Sequence, residues 1–388
     1  METKRVVVVG GAYSGVAVIT QLLKHPLSGN FHITLIEPSD SFFLSHGAPR
    51  AVVDANFLKH CFIPYTNLFL KHENNKIIKQ KVVKVLKNLV VLDNGNKVEF
   101  DYLIICTGSS YASPFKYNIN KSTDEFIEEI KLINSKIQES KEILIIGGGI
   151  VGCEVAGEIA TDYPNIKVKI ITSGKKLLSN TNQSSNLVSK LTTQLHKLNV
   201  EIVYNKKIQF LENLKEYSFK TTVKSGSEEF TGDCVFKTIG FGGFNSNLIL
   251  SLTEEIEGLK EIDLLDEFKR IKVLKTGQLE ISKNFPEYKN IFSCGDVSNL
   301  DFQTKAYLAG MEGELVAKNV VLLEELKESQ LLKYKPTAHN FIAISLGRNL
   351  GVTELPYGFT VGSCLTSRVK SRSLFIDKYW NLLNVDKD

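Results

Sequence analysis

The chain has 388 residues, 43% of them hydrophobic and 23% charged, with a formal net charge of +4. That length predicts two or three domains around a sizeable core, and the balance excludes a wholly disordered, collagen-like or disulfide-scaffolded protein. The charge is too mild to point to nucleic acid. Six cysteines, at 61, 106, 153, 234, 294 and 364, form no C-x-x-C pair. Neither a metal site nor a dithiol motif is expected, and a reducing compartment is. No apolar run is long enough to span a bilayer, and Met1-Glu2-Thr3-Lys4-Arg5 leads straight into a strand pattern rather than a signal peptide. The expectation is a cytoplasmic protein, at most peripheral on membranes, with Glu2 where a myristoylation glycine would stand.

In chain order, Arg5 and four valines precede Gly10-Gly11-Ala12-Tyr13-Ser14-Gly15 and an apolar periodic stretch to Leu23. This pattern predicts strand, tight turn, helix. A second strand, Phe31 to Ile36, ends at Glu37, where an acid accepts ribose hydroxyls while the helix N-terminus meets a pyrophosphate. Lys81 to Phe100 reads as three short β runs around an Asn94-Gly95 turn, feeding Tyr102 to Cys106 and then Thr107-Gly108. The unit then repeats. A strand from Lys141 to Ile146, the turn Gly147-Gly148-Gly149-Ile150-Val151-Gly152 and a helix through Glu154 and Glu158 lead to a strand, Lys167 to Ile171, that ends at Thr172. Asp233 to Lys237 runs into Thr238-Ile239-Gly240, and Asn290 to Ser293 ends in Cys294-Gly295-Asp296 before a helix from about Thr304 to Leu323. Beyond Tyr334 come a β-like Phe341 to Leu346, a glycine-rich stretch and a closing amphipathic segment. The fold class expected is α/β, with two Rossmann-like dinucleotide-binding domains and a small C-terminal α+β region.

Two nucleotide units with Thr-Gly and Gly-Asp turns resemble the two-dinucleotide-binding flavoprotein oxidoreductases over nearly the whole chain. By that resemblance, Gly10, Gly11, Ala12, Ser14, Gly15, Glu37, Arg50, Val82, Thr107, Gly108, Gly295 and Asp296 bind FAD, with Asp296 on the ribityl chain. Gly147, Gly149, Gly152, Thr172, Ser173, Lys175 and Gly240 bind NADH or NADPH. The implied domains are 1–112 with 243–325 for FAD, 113–242 for NAD(P)H, and a C-terminal region, 326–388. Asp40-Ser41-Phe42, Thr161-Asp162-Tyr163-Pro164, Ala306 to Gly310, Leu346-Gly347-Arg348-Asn349 and Ser367 to Phe375 further resemble the ferroptosis suppressor proteins. These mitochondrion-associated, apoptosis-inducing-factor-like proteins are similar in plan to single-subunit NADH:quinone oxidoreductases. The resemblance implies an NAD(P)H:quinone oxidoreductase that moves hydride from NAD(P)H to FAD and then two electrons to a ubiquinone-type acceptor, peripheral to the mitochondrial outer membrane or a lipid droplet. The chain departs from the pattern at Ala12, which replaces the middle glycine, and at Leu44, where relatives have a histidine; His46 lies two residues later.

Hydride transfer between two stacked rings requires no protein acid or thiol. Glu154 reads as a polar contact at the nicotinamide or flavin, or as a helix-start charge, and Glu158 equally as a salt-bridge partner. Lys305 and Tyr307 open the helix that should face the reduced flavin; alternatively Tyr307 is core and Lys305 solvated. His46 reads as a proton donor to the reduced quinone or as a surface loop histidine. Cys153 and Cys294, beside the glycine turns, read as reactive thiols or, the commoner fate, as small buried hydrophobes. The basic and aromatic residues from Arg368 to Trp380 suit a membrane surface or a helix packed on its own domain, and a homodimer is a further expectation. At the second unit Thr172, Ser173 and Lys175 stand where an acid would select NADH, so NADPH should be accepted. An electron donor to a small redox protein is a second reading, and a signalling or DNA-binding flavoprotein a third, although its dense basic face is missing.

Overall fold

The computed structural model describes residues 3–70, 72–111, 113–179, 181–336 and 341–385; Glu2 lies outside them. A five-stranded parallel sheet runs in the order Ile291–Ser293, Tyr102–Ile105, Lys4–Val9, Phe31–Ile36, Lys76–Ile78. Its central valines, Val6 to Val9, are at most 3% exposed. Burial on both faces is what an unbroken β-branched run, rather than an alternating one, encodes. Helix Tyr13–Leu23 packs on one face through Val16, Ile19 and Leu22, and helix Ala306–Glu324 lies beside it, with Gly313 so close that a Cβ would sit 2.4 Å from the Ser14 carbonyl oxygen.

The second sheet has the order Glu201–Val203, Lys167–Ile171, Glu142–Ile146, Glu228–Lys237, Tyr217–Ser225. Its last pair is an antiparallel hairpin, longer than the short strand expected from Asp233. Helix Ile150–Asp162 lies against this sheet, as Tyr13–Leu23 does in the first unit. The chain leaves the first sheet after Ile105 and returns at Ile291, and a short antiparallel ribbon, Ser109–Tyr111 with Phe241–Phe244, joins the outgoing and returning strands. The three runs around Asn94-Gly95 form a three-stranded meander, Val82–Val85, Leu89–Leu92 and Lys97–Glu99.

The C-terminal region packs on both units. Strand Ile342–Leu346 of a small antiparallel sheet lies directly on helix Ile150–Asp162, where a Cβ on Gly157 would come within 2.6 Å of the Leu346 Cα. The final segment then crosses to the first unit. Lys370, Ser371, Leu374, Ile376, Tyr379 and Leu383 are buried, Trp380 Nε1 donates to the His60 carbonyl at 3.1 Å, and Asn67 Nδ2 donates to the Asn384 carbonyl at 2.8 Å. Of its basic residues that the structure describes, Arg368, Arg372 and Lys378 are exposed. No helix among the described residues is long and apolar enough to cross a membrane.

Candidate active site

A cleft of about 2270 Å³ is lined by both glycine turns and by the C-terminal segment. The turns are close copies. Gly10 has φ +98° and Gly147 φ +125°; a Cβ on either would meet the carbonyl oxygen of Cys106 or Thr238, each at 2.5 Å. A Cβ on Gly15 would overlap the Gly10 carbonyl, and one on Gly152 the Gly147 carbonyl. Both fingerprint helices begin without a side-chain cap, at Ala12 and Gly149, leaving their first N–H groups free for an anion. A Cβ at Gly149 would meet nothing within 4 Å, so that position opens onto the cleft and the Ala12 methyl at the corresponding place projects into it.

The side chains beside these turns suit a dinucleotide. Glu37, at the end of the second strand, accepts from Gly11 N–H at 2.7 Å and Ser39 N–H at 3.0 Å, while burial pushes its carboxyl pKa up. Asp296, placed by the positive φ of Gly295, accepts from Ser109 Oγ at 2.6 Å and lies 3.9 Å from Lys116 Nζ. Lys116 also donates to Ser109 Oγ at 3.0 Å, and burial pulls its ammonium pKa down. Nothing in the local sequence marks Lys116. Under the turn, Gly295 N–H donates to Glu312 Oε2 at 2.6 Å, and burial raises that carboxyl to about 8.

Where the two units meet, three donors converge on Glu154 Oε1: Lys370 Nζ at 2.6 Å, and Ser345 N–H and Oγ at 3.2 Å each. No donor among the described residues reaches Oε2, and the side chain lines the cleft. Lys370 also donates to the Ala343 carbonyl at 2.8 Å and lines the same wall. It lies in the tail whose basic and aromatic residues suit a lipid surface. Glu154 is therefore more than a helix-start charge. Lys305 Nζ donates to the Phe341 carbonyl at 3.4 Å, its pKa lowered by burial, and Tyr307 meets the Phe341 ring edge-on, the centroids 5.8 Å apart.

His46 is no surface loop histidine. Its Nδ1 lies 3.0 Å from Tyr13 Oη, which is also 3.0 Å from Ser45 Oγ, and its ring meets Tyr13 and Phe375 edge-on. Burial, aided by the charges of Lys370 and Lys378, pulls its pKa down to about 3, so the imidazole is neutral at physiological pH. Tyr379 stacks on Phe42 with centroids 5.2 Å apart and completes this aromatic wall.

Gly10, Ala12, Ser14, Glu37, His46, Val82, Thr107, Gly108, Gly147, Gly149, Glu154, Thr172, Ser173, Gly240, Asp296, Lys305 and Tyr307 all line the cleft. Gly11, Gly15, Gly152 and Gly295 shape it from behind. Two residues expected at cofactors are elsewhere. Lys175 is exposed outside the cleft wall. Arg50 is fully buried, donating to Glu158 through Nε at 3.1 Å and Nη2 at 2.9 Å and to the carbonyls of Ser371 and Arg372 at 2.7 and 3.3 Å. It therefore ties three segments together from behind the cleft, and Glu158 is its ion-pair partner. Cys153 and Cys294 are buried, their thiol pKa values pushed up, and Cys294 Sγ lies 3.5 Å from Cys106 Sγ.

A family model described as pyridine nucleotide-disulphide oxidoreductase matches residues 4–313. The chain belongs to this family. As a pyridine nucleotide-disulphide oxidoreductase it is an FAD-dependent enzyme that uses NADH or NADPH. Similarity extends through the C-terminal region. Apoptosis-inducing factor homolog B of Dictyostelium discoideum is 30% identical over 404 aligned positions, covering 100% of this chain and 98% of that protein. Homolog A of the same organism is 32% identical, with 99% and 92% covered, and human ferroptosis suppressor protein 1 is 28% identical, with 97% and 95% covered. Among solved structures, sulfide:quinone oxidoreductase from Aquifex aeolicus superposes with a TM-score of 0.75 at 17% identity, over 98% of this chain and 92% of that one. NDH2 from Plasmodium falciparum in complex with NADH gives a TM-score of 0.70 at 14% identity, over 98% and 95%. These two likenesses establish the shared fold.

Proposed function

We propose that this oxidoreductase is an NAD(P)H:quinone reductase, with FAD along the first glycine turn and NAD(P)H along the second. The observation that carries the reading is the wall beyond Glu154 and Lys370. It is made of Tyr13, His46, Phe375 and Tyr379, and the one described cysteine on the cleft, Cys106, lies beneath the first glycine turn instead. A flat apolar acceptor fits such a wall, whereas a disulfide relay has no thiol there to pass through. FAD, when bound, supplies the two-electron chemistry.

The chain's own residues bind and orient. Glu37 offers acceptor lone pairs to ribose hydroxyls and Asp296 to a ribityl chain, while the uncapped helix ends face the pyrophosphates. Lys370 fixes Glu154 through Oε1, so that Oε2 is presented to the cleft in one orientation. Tyr13 and the neutral His46 form a hydrogen-bonded pair that can hold or pass a proton at the acceptor wall without placing a charge in an apolar site. Arg368, Arg372 and Lys378 are exposed in the tail, as are Leu365 and Val369. Docking of these residues on an anionic lipid surface would bring a membrane-held quinone to the cleft.

The test is steady-state oxidation of NADH and NADPH by the FAD-loaded protein with a panel of quinones, a small-molecule disulfide and a small redox protein as separate acceptors. Turnover with a soluble quinone alone is expected. Turnover confined to the disulfide or to the protein acceptor would overturn the reading.

A further inference from the structure

The two glycine turns differ at one decisive contact. In the first unit Gly11 N–H donates to the Glu37 carboxylate at 2.7 Å, and a Cβ on Gly11 would lie 3.2 Å from Glu37 Cγ. In the second, Gly148 takes the place of Gly11, and a Cβ there would lie 3.0 Å from both Cβ and Oγ1 of Thr172. Thr172 thus occupies the position of Glu37. A carboxylate there would accept a ribose 2′-hydroxyl and repel a 2′-phosphate; a threonine does not repel.

Behind Thr172 the chain adds positive charge from a segment that is distant in sequence. Lys206 N–H donates to the Thr172 carbonyl at 2.9 Å, Asn205 N–H to the Gly174 carbonyl at 3.1 Å, and Gly174 N–H to Thr172 Oγ1 at 3.2 Å. These bonds lace residues 205–206 to the 172–174 turn, and Ser173, Lys206 and Lys207 all line the cleft beside it. Lys206 is ion-paired with Glu228, which anchors its side chain. Lys207 is exposed and has no carboxylate partner among the described residues. Lys175, the basic residue nearest in sequence, is exposed and does not line the cleft.

We infer that Ser173, Lys206 and Lys207 form a subsite for the 2′-phosphate of NADPH and make this chain NADPH-selective. The inference rests on the second unit being the nicotinamide-nucleotide site. A dianionic phosphate there would gain the unpaired charge of Lys207, a hydroxyl donor from Ser173 and a share of Lys206, with no acid on the 172–174 turn to oppose it.

The test is equilibrium binding of NADP⁺, NAD⁺ and 2′-AMP to the FAD-loaded protein by titration calorimetry, at low and at physiological salt. NADP⁺ should bind at least tenfold more tightly than NAD⁺, 2′-AMP should compete with it, and raised salt should weaken NADP⁺ more than NAD⁺. Lys207→Ala should lower the NADP⁺ to NAD⁺ affinity ratio about tenfold, and Thr172→Asp should invert it, with flavin absorbance confirming that each variant is loaded. Equal affinities in the unaltered protein, or a ratio unmoved by Lys207→Ala, would overturn the subsite. Failure of both nucleotides to bind would instead strike at the placement of the nucleotide site itself.

Discussion

Replacing Arg50 by methionine should destabilise the protein in a way that depends on pH. The side chain is 1% exposed, and its loss strands the Glu158 carboxylate, equally buried, together with the carbonyls of Ser371 and Arg372. Breaking a buried pair from one side costs about 3–5 kcal/mol, because the remaining charge has no compensation. Glu158 can escape by taking up a proton. Its carboxyl is already pushed upward by burial and held down chiefly by Arg50, so in the variant it will be protonated. At pH 7.5, three units above the carboxyl's ordinary 4.5, that uptake costs about 4 kcal/mol, at about 1.36 kcal/mol per unit. At pH 5.5 the same uptake costs only about 1.4 kcal/mol. Lost bonds to the two carbonyls add a part that does not vary with pH. Urea unfolding of the FAD-loaded protein, followed by the fluorescence of its single tryptophan, Trp380, should therefore show a deficit that shrinks between pH 7.5 and 5.5 by at most about 2.7 kcal/mol, because burial already raises Glu158 in the intact protein. Arg50→Met combined with Glu158→Met should recover much of it. A deficit equal at both pH values, or a double variant no better than the single one, would refute the reasoning.

Asp296→Ala should weaken FAD retention by about 1.5–3 kcal/mol, roughly tenfold or more in affinity, measurable as loss of the flavin band on dilution. Glu312 holds its proton up to about pH 8 in the folded chain against an ordinary 4.5, so the folded state binds the extra proton between those values and wild-type stability falls as pH rises through that window. Glu312→Gln should flatten this dependence in melting temperatures recorded from pH 5 to 9; identical slopes would dismiss Glu312 as the source. Truncation after Thr366 removes Lys370, Leu374, Tyr379 and both carbonyl acceptors of Arg50, and should yield protein that is aggregated or free of FAD by size-exclusion chromatography with absorbance detection. A monodisperse yellow product would contradict the packing of the tail.

The two glycine turns, their strands and the residues that open them were legible because local sterics dictate them. No residue other than glycine tolerates the positions of Gly10 or Gly147, and a run such as Phe31 to Ile36 has few alternatives to a buried strand. Some further elements carry local signals of their own. Ser122 and Glu125 form a capping box at the start of helix Thr123–Gln138, and the Ser225-Gly226 turn closes the hairpin of the second sheet. Lys370, Lys116 and Lys206 had none. Each acquires its role from a contact across the chain, and a lysine among basic neighbours looks the same in sequence whether it meets Glu154 or solvent. Arg50 is placed at FAD by the family resemblance, but only the fold reveals that its partner is Glu158. His46 was noticed for its chemistry, yet its neutrality comes from burial and from two lysines more than 300 residues away.

The pairing of Lys370 with Glu154 also bears on when the enzyme comes into being during synthesis. Both glycine turns, Glu37, Asp296 and the second sheet are translated before Ser367, so a nascent chain can assemble both nucleotide units while the wall at their junction is still incomplete. Until Lys370 arrives, Oε1 of Glu154 lacks its charged donor and Arg50 lacks its two carbonyl acceptors. The segment from Ser367 onward therefore completes the junction of two nucleotide units whose own residues have already been joined.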